Sequence, residues 1–294
     1  MSDNGKTVAL VLGAGAARGL AHIGVIRELE EQGYLIRSIA GTSIGALVGG
    51  IYAMGELDTY TEWVVGLEQK DILRLVDWTL SGGGLIRGKK VMGKLETLVG
   101  NAEIRDFDLD YTAVAVDIDH SREIWLSEGP LFDAIRASIA IPGLFTPHRY
   151  LGRTLVDGGL LNPVPVAPTL RSLTDLTVVV DVNGPSEFPG GASTAPSQAQ
   201  ETNERAWHKF REFLNSFGSD SPPRESRPGL FSVMLRSLEI TQALITRQQL
   251  AVFRPDRLIS IPKNVCMAHE FHRAREMIDL GREKARAELT KGRD

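Results

Sequence analysis

The sequence predicts an α/β domain in which a parallel sheet is layered with helices. Three observations carry this. Thr7–Leu12 (TVALVL) is an unbroken, valine-rich apolar run, the pattern of a strand buried on both faces. A helical period over about Leu20 to Gln32 and a second apolar run over Tyr34 to Ala40 complete a βαβ unit with a right-handed crossover. Strand and helix patterns then alternate to the end of the chain, with no internal repeat.

Each element has its own warrant. A Gly/Ala-rich loop, Gly13 to Gly19, leaves the first strand. The helix after it places Ile23, Ile26 and Leu29 on one face and stops at Gly33. Helical spacing recurs over 44–54, 58–67 and 88–99, interrupted by a glycine-rich loop at Ser81–Gly84. Tyr111 to Asp117 alternates as a strand, with Glu123 to Leu126 as its hairpin partner. Leu131 to Ser138 reads as a helix ending at Ile141-Pro142-Gly143. Arg149 to Asp157 reads as a hairpin turning at Gly152, and Leu176 to Asp181 (LTVVVD) as another buried strand. From about 183 to 229 Ser, Gly, Pro, Gln and Thr dominate, the composition of a mobile surface insert or lid. A long amphipathic helix (Leu230 to Phe253), a strand (Asp256 to Ile261) and a closing helix (Glu270 to Leu289) complete residues 230–294. The whole of 1–294 is expected to be one α/β domain carrying that insert.

The chain has 294 residues, of which 43% are hydrophobic, enough for a substantial core. A formal net charge of −4 argues against a general nucleic-acid binder. Cys266 is the one cysteine, so no internal disulfide forms. Met1 to Lys6 is short and polar, and no run approaches the ~20 apolar residues of a spanning helix. The expectation is a soluble, cytoplasmic protein, with peripheral contact to the inner face of the membrane left open.

The chemistry centres on Ser43 in Gly41-Thr42-Ser43-Ile44-Gly45, a G-x-S-x-G run between a strand and a helix. That context holds a serine on a sharp turn with its hydroxyl presented, and small residues at 41 and 45 let strand and helix cross closely. The helix start brings its positive dipole end to the same place. A serine needs a base. His22, His120, His148, His208, His269 and His272 are the histidine candidates, and none falls in the usual order of an α/β hydrolase. His269 and His272 come latest, on what reads as a solvated helical face beside Glu270 and Arg273. Cys266 reads as a packed small residue. Asp157 is the better partner, released by the apolar run Thr154-Leu155-Val156 into Gly158-Gly159. An ordinary Asp-Gly turn is the plain alternative.

Gly13-Ala14-Gly15-Ala16-Ala17-Arg18-Gly19 is a third element, whose amides suit an anion. The dinucleotide fingerprint fails at Arg18, and the phosphate-loop pattern fails because Leu20 follows Gly19. An oxyanion hole is the reading that uses loop and serine together.

Four segments together are similar to patatin-like phospholipases: Gly13 to Ile26, the run at Ser43, Arg136-Ala137-Ser138-Ile139-Ala140-Ile141-Pro142-Gly143-Leu144-Phe145, and Val156 to Pro163. Within that family the chain most resembles small bacterial members related to the catalytic domain of neuropathy target esterase. The resemblance covers about 7–182 strongly and the last helices more loosely. It implies a three-layer fold with a mostly parallel central sheet flanked by helices. It also implies a Ser43–Asp157 dyad and metal- and cofactor-independent hydrolysis of phospholipid or lysophospholipid acyl esters. The implied oxyanion loop is Gly13, Gly15, Ala16 and Arg18, with Gly15 and Ala16 offering amides and Arg18 fixing the loop. Gly41 and Gly45 would frame the nucleophile, and Gly158 and Gly159 would follow the base. The family's loop is often all glycine. Here Ala14 and Ala16 intervene, and alanine disfavours positive φ, which would leave the hole imperfect and activity low if the loop requires it.

Within the insert, Trp207, Phe210, Phe213, Leu214 and Phe217 share a helical stripe beside Arg205, Lys209 and Arg211. An aromatic face with basic flanks suits anionic lipid headgroups, which makes 205–217 a candidate membrane contact, with a short helix packed on the domain as the plain alternative. The competing functional reading is a catalytically weak or inactive regulatory or binding module on the same fold.

Overall fold

A computed structural model describes residues 5–79, 83–187 and 230–291. Two compact units make up the chain: Met1–Ser186 with Gln242–Asp294, and Glu187–Thr241. The candidate lipid-contact stripe at 205–217, His208 and nearly all of the expected insert lie outside the described residues.

The elements follow in order: β1 (Thr7–Leu12), a 3-10 turn (Ala16–Leu20), α1 (Ala21–Glu31), β2 (Leu35–Thr42), α2 (Ile44–Ala53), α3 (Leu57–Val65), α4 (Gln69–Leu75), β3 (Gly84–Ile86) and α5 (Lys89–Val99). Then come β4 (Asp110–Asp117), β5 (Arg122–Leu126), α6 (Leu131–Ser138), β6 (Gly143–Phe145), β7 (His148–Tyr150), β8 (Arg153–Asp157), β9 (Leu176–Gly184), α7 (Leu230–Phe253), β10 (Arg257–Pro262) and α8 (Ala274–Thr290).

The main sheet runs β10-β9-β1-β2-β4-β8-β7, with β5 also on β4. β10, β9, β1, β2 and β4 are mutually parallel, and β5, β7 and β8 add antiparallel pairings. Alternation along β1 sends Val8, Leu10 and Leu12 into the large core and Val11 to the opposite face. The large core takes α1, α2, α6 and α8 residues such as Ile23, Ile26, Leu47, Ile51, Ile135 and Met277. On the other face Val11, Val164, Val166 and Val179 are covered by Leu250 and Phe253 of α7. That is the expected α/β layering, with helices on both faces of a mostly parallel sheet.

The differences have local causes. The glycine-rich loop closes in a 3-10 turn, Ala16–Leu20, directly before α1. α4 was not legible in the sequence. It buries no residue fully and owes its start to a capping box between Glu68 and Asp71. The closing helix is delayed to Ala274, and His269 and His272 are half-buried in the turn and 3-10 segment before it, not on a solvated helix face.

Candidate active site

Ser43 occupies the single residue between β2 and α2, with φ +57° and ψ −121°. This left-handed conformation is costly for a non-glycine residue, by about 1–2 kcal/mol. The crossing it creates is tight. A Cβ on Gly45 would lie 2.1 Å from the Leu12 carbonyl oxygen, and one on Gly41 would lie 2.5 Å from the Ala46 amide nitrogen. The backbone is held from outside the elbow. Ser43 N–H donates to Ser138 Oγ at 2.9 Å, Ser138 Oγ donates to the Val114 carbonyl at 2.6 Å, and Thr42 Oγ1 donates to the Asn162 carbonyl at 2.8 Å.

Strand register brings Asp157 to the same place. β5 lines one edge of β4 from Ala113 to Asp117. The other edge is shared: β2 occupies it as far as Thr42, opposite Val114, and β8 ends on it with Asp157, opposite the next residue, Ala115. Two strands thus run toward each other along one edge, and Ser43 and Asp157 sit where their ends meet. The turn after Asp157 passes so close to β4 that a Cβ on Gly158 would lie 2.2 Å from the Val114 carbonyl oxygen.

Asp157 is 3% exposed. Its amide donates to the Ala140 carbonyl at 2.9 Å, and its Oδ1 accepts the Gly159 amide at 2.7 Å. Among the described residues, the buried Oδ2 closes no hydrogen bond. Burial pushes the carboxyl up to about 6, against the opposing pull of the Ser43 hydroxyl and the Gly159 amide. Ser43 therefore acts on this carboxyl as a hydrogen-bonding neighbour without a closed bond in the resting geometry. Gly159 packs between the carboxylate and Ala14, whose Cβ would be 3.4 Å from one placed on Gly159.

The Gly/Ala loop sorts into engaged and free amides. Gly13 N–H donates to the Val180 carbonyl at 3.0 Å, Ala14 N–H to Pro163 at 2.8 Å, and Ala17 N–H to Ala268 at 3.2 Å. Gly13, expected as part of the hole, is thereby committed to the sheet. Among the described residues no hydrogen bond takes the Gly15 or Ala16 amide. Ala16 has φ +48°, so the loop does take the left-handed conformation at one of its alanines. Arg18 braces the loop. It is buried and clamps the loop from behind, through Nε to the Val182 carbonyl (3.1 Å), Nη1 to the Cys266 carbonyl (3.2 Å) and Nη2 to Asn183 Oδ1 (2.6 Å). Asn183 Nδ2 then donates to the Ala14 carbonyl at 2.5 Å.

Three of the described histidines bond elsewhere. His22 is fully buried, bonds the Gly13 carbonyl through Nε2 at 2.8 Å, and is pushed down to about 4 by burial, so it stays neutral as a brace for the loop. His120 pairs with Asp117 and His148 with Asp133, each at 2.9 Å. The Cys266 thiol is pushed up to about 12, chiefly by burial, which makes it inert.

Two further polar residues at the site lie within the motif segments, and the sequence alone does not show their part. Ser138 braces Ser43. Asn162, 2% exposed, donates through its amide to the Gly158 carbonyl (2.8 Å) and through Nδ2 to Glu123 (2.8 Å), and accepts from Gln249 of α7 (2.8 Å). The available signal was a polar residue inside an apolar run, which needs a partner when buried.

A family model described as patatin-like phospholipase matches residues 10–170, more than half of the 294. Uncharacterized NTE family proteins of Mycobacterium bovis and Mycobacterium tuberculosis are 38% identical over 321 residues, covering 94% of this chain and 89% of theirs. The lysophospholipase nte1 of Neurospora crassa is 35% identical over 185 residues, 60% of this chain and 12% of that longer protein. The crystal structure of VipD from Legionella pneumophila superposes with a TM-score of 0.45 at 14% identity, over 97% of this chain and 66% of that one. The elbow, the strand-end aspartate and the amide loop thus lie in a chain that belongs to the patatin-like phospholipase family.

Proposed function

We propose that the protein is a serine acyl-ester hydrolase acting on phospholipids or lysophospholipids, with Ser43 as nucleophile and Asp157 as its base. The observation that carries this is the pairing of a strained, elbow-borne hydroxyl with a buried carboxyl held near 6. In the proposed reaction, Ser43 Oγ attacks the ester carbonyl carbon while Asp157 accepts the hydroxyl proton. The carbonyl oxygen becomes an oxyanion facing the free amides of Gly15 and Ala16, with the positive end of α2 beneath Ser43. Collapse of the tetrahedral species breaks the bond to the alcohol, which takes the proton from Asp157. A water then attacks the acyl-Ser43 ester with Asp157 as base again, which releases the fatty acid and restores the hydroxyl.

A base near 6 suits this role better than an ordinary aspartate near 3.9, because proton transfer is most effective when the pKa approaches working pH. The lipid class rests on the family and on the lysophospholipase named above. The test is intact-mass spectrometry after fluorophosphonate treatment, with p-nitrophenyl ester turnover beside it. A single adduct on the wild type, lost in Ser43→Ala and strongly slowed in Asp157→Asn, is the expected result. A folded wild type that takes no adduct and turns over no ester would leave the binding-module reading instead. No helix among the described residues is long and apolar enough to cross a membrane. We place substrate capture at a membrane surface as part of the same proposal.

A further inference from the structure

The segment Arg136–Phe145 stands out in the sequence, yet the proposed chemistry assigns it no part. Its first half bonds the backbone of both Ser43 and Asp157. Ser138, the last residue of α6, is wholly buried. Its hydroxyl donates to the Val114 carbonyl at 2.6 Å and accepts the Ser43 amide at 2.9 Å. Two residues on, the Ala140 carbonyl accepts the Asp157 amide at 2.9 Å. Val114 is also the β4 residue opposite Thr42, and its neighbour Ala115 is opposite Asp157. One short stretch of chain therefore grips the backbone of the nucleophile and of the base, and is itself fixed to the strand that both flank.

We propose that Ser138 is a positioning residue for the acyl transfer: its hydroxyl, acting with the Ala140 carbonyl two residues later, sets the separation between Ser43 Oγ and the Asp157 carboxylate. This rests on the hydrolase reading above. The physical need is specific. Ser43 is held in a left-handed conformation that a non-glycine residue leaves readily unless its surroundings oppose it. The Ser138 hydroxyl is what takes its amide. An alanine at 138 would leave both the Ser43 N–H and the Val114 C=O without this partner in a dry site, and the elbow would relax to find others. A displacement of about 1 Å at the nucleophile is enough to cost roughly 10²-fold in rate. The same displacement would withdraw the Ser43 hydroxyl from Asp157, and with it a contact that favours the ionised carboxylate. Arg136 anchors the segment at its other end, donating from Nη2 to the Arg87 carbonyl (2.6 Å) and the Thr146 carbonyl (2.8 Å).

The experiment compares wild type, Ser138→Ala, Ser138→Thr and Thr169→Ala. Thr169 is a buried hydroxyl bonded to the Val166 carbonyl within its own turn, and serves as a control for general destabilisation. The readouts are the second-order rate of fluorophosphonate labelling at Ser43, kcat and KM for a p-nitrophenyl ester, and the acid limb of the pH–rate profile. For Ser138→Ala we expect labelling and kcat to fall about 10- to 100-fold with KM held, and the acid limb to move to higher pH. Ser138→Thr, which restores a hydroxyl, recovers most of the rate and the wild-type limb, and Thr169→Ala keeps both. If Ser138→Ala does not fold, Ser138→Cys replaces it, keeping the volume with only a weak sulfur donor. Labelling of the alanine variant at the wild-type rate with an unmoved acid limb would overturn the assignment, as would a loss no larger than that of Thr169→Ala. A folded but unreactive wild type would overturn the hydrolase reading itself, and the role of Ser138 with it.

Discussion

Asp157 would be a weak base toward a hydroxyl at its ordinary pKa, and burial in this site brings it to about 6. Two consequences share that cause. Activity that depends on the ionised carboxylate should rise with pH through about 6 and level off above it, read as the acid limb of kcat/KM. Stability should run the other way. The folded protein holds this proton more tightly than the unfolded chain, so the carboxyl costs nothing below the free aspartate range and destabilises increasingly as pH rises to about 6. A shift of this size corresponds to about 3 kcal/mol. Asp157→Asn should therefore be more stable than wild type at pH 8, by up to about that amount, with the gain vanishing near pH 4 in urea titrations at the two pH values. Equal gains at both pH values would mean that the charge is not the cause.

The elbow and the amide loop are both made of conformations that cost energy, and each is supported by neighbouring elements. Ser43 was legible as an elbow because the glycine spacing and the strand–helix context are local. The loop's departure from all-glycine was legible too, and its outcome was open: Ala14 stays in ordinary backbone space while Ala16 is forced to φ +48°. Ala16→Gly removes that cost and keeps the amide. The expected result is a gain of about 1 kcal/mol in urea unfolding, with the fluorophosphonate rate preserved. A loss of stability would show that the Ala16 methyl contributes packing that outweighs its backbone strain. Which amides of the loop are engaged, by contrast, was only partly legible. Composition could not say that the Gly13 amide is committed to Val180, because that depends on β9 lying beside β1.

Across the whole molecule, Arg18 ties together parts of the chain that are remote in sequence. Its guanidinium reaches the end of β9 at Val182 and Asn183 and the Cys266 carbonyl after β10, so the loop that faces Ser43 is set by the C-terminal part of the fold. Only a planar fork can serve three acceptors in these directions. Arg18→Lys keeps the charge and should still cost about 2 kcal/mol in stability and at least about tenfold in labelling rate. Thermal unfolding and fluorophosphonate kinetics would check this, and an unchanged labelling rate would separate the clamp from the hole.

The sequence by itself determined the elements with strong periods: the βαβ opening, the serine on its elbow, the aspartate at a strand end and the glycine-rich turn between β1 and α1. Each is written in a stretch of a dozen residues or so, where backbone propensity, glycine placement and apolar alternation act locally. Tertiary structure alone decided that β2 and β8 end opposite adjacent residues of β4, which puts Ser43 beside Asp157. It also decided that Ser138 and Asn162 brace that junction, and which acceptors on distant segments Arg18 uses to fix the loop. Strand register and buried hydrogen-bond partners depend on which distant segments pack together, and no single stretch of chain encodes that choice.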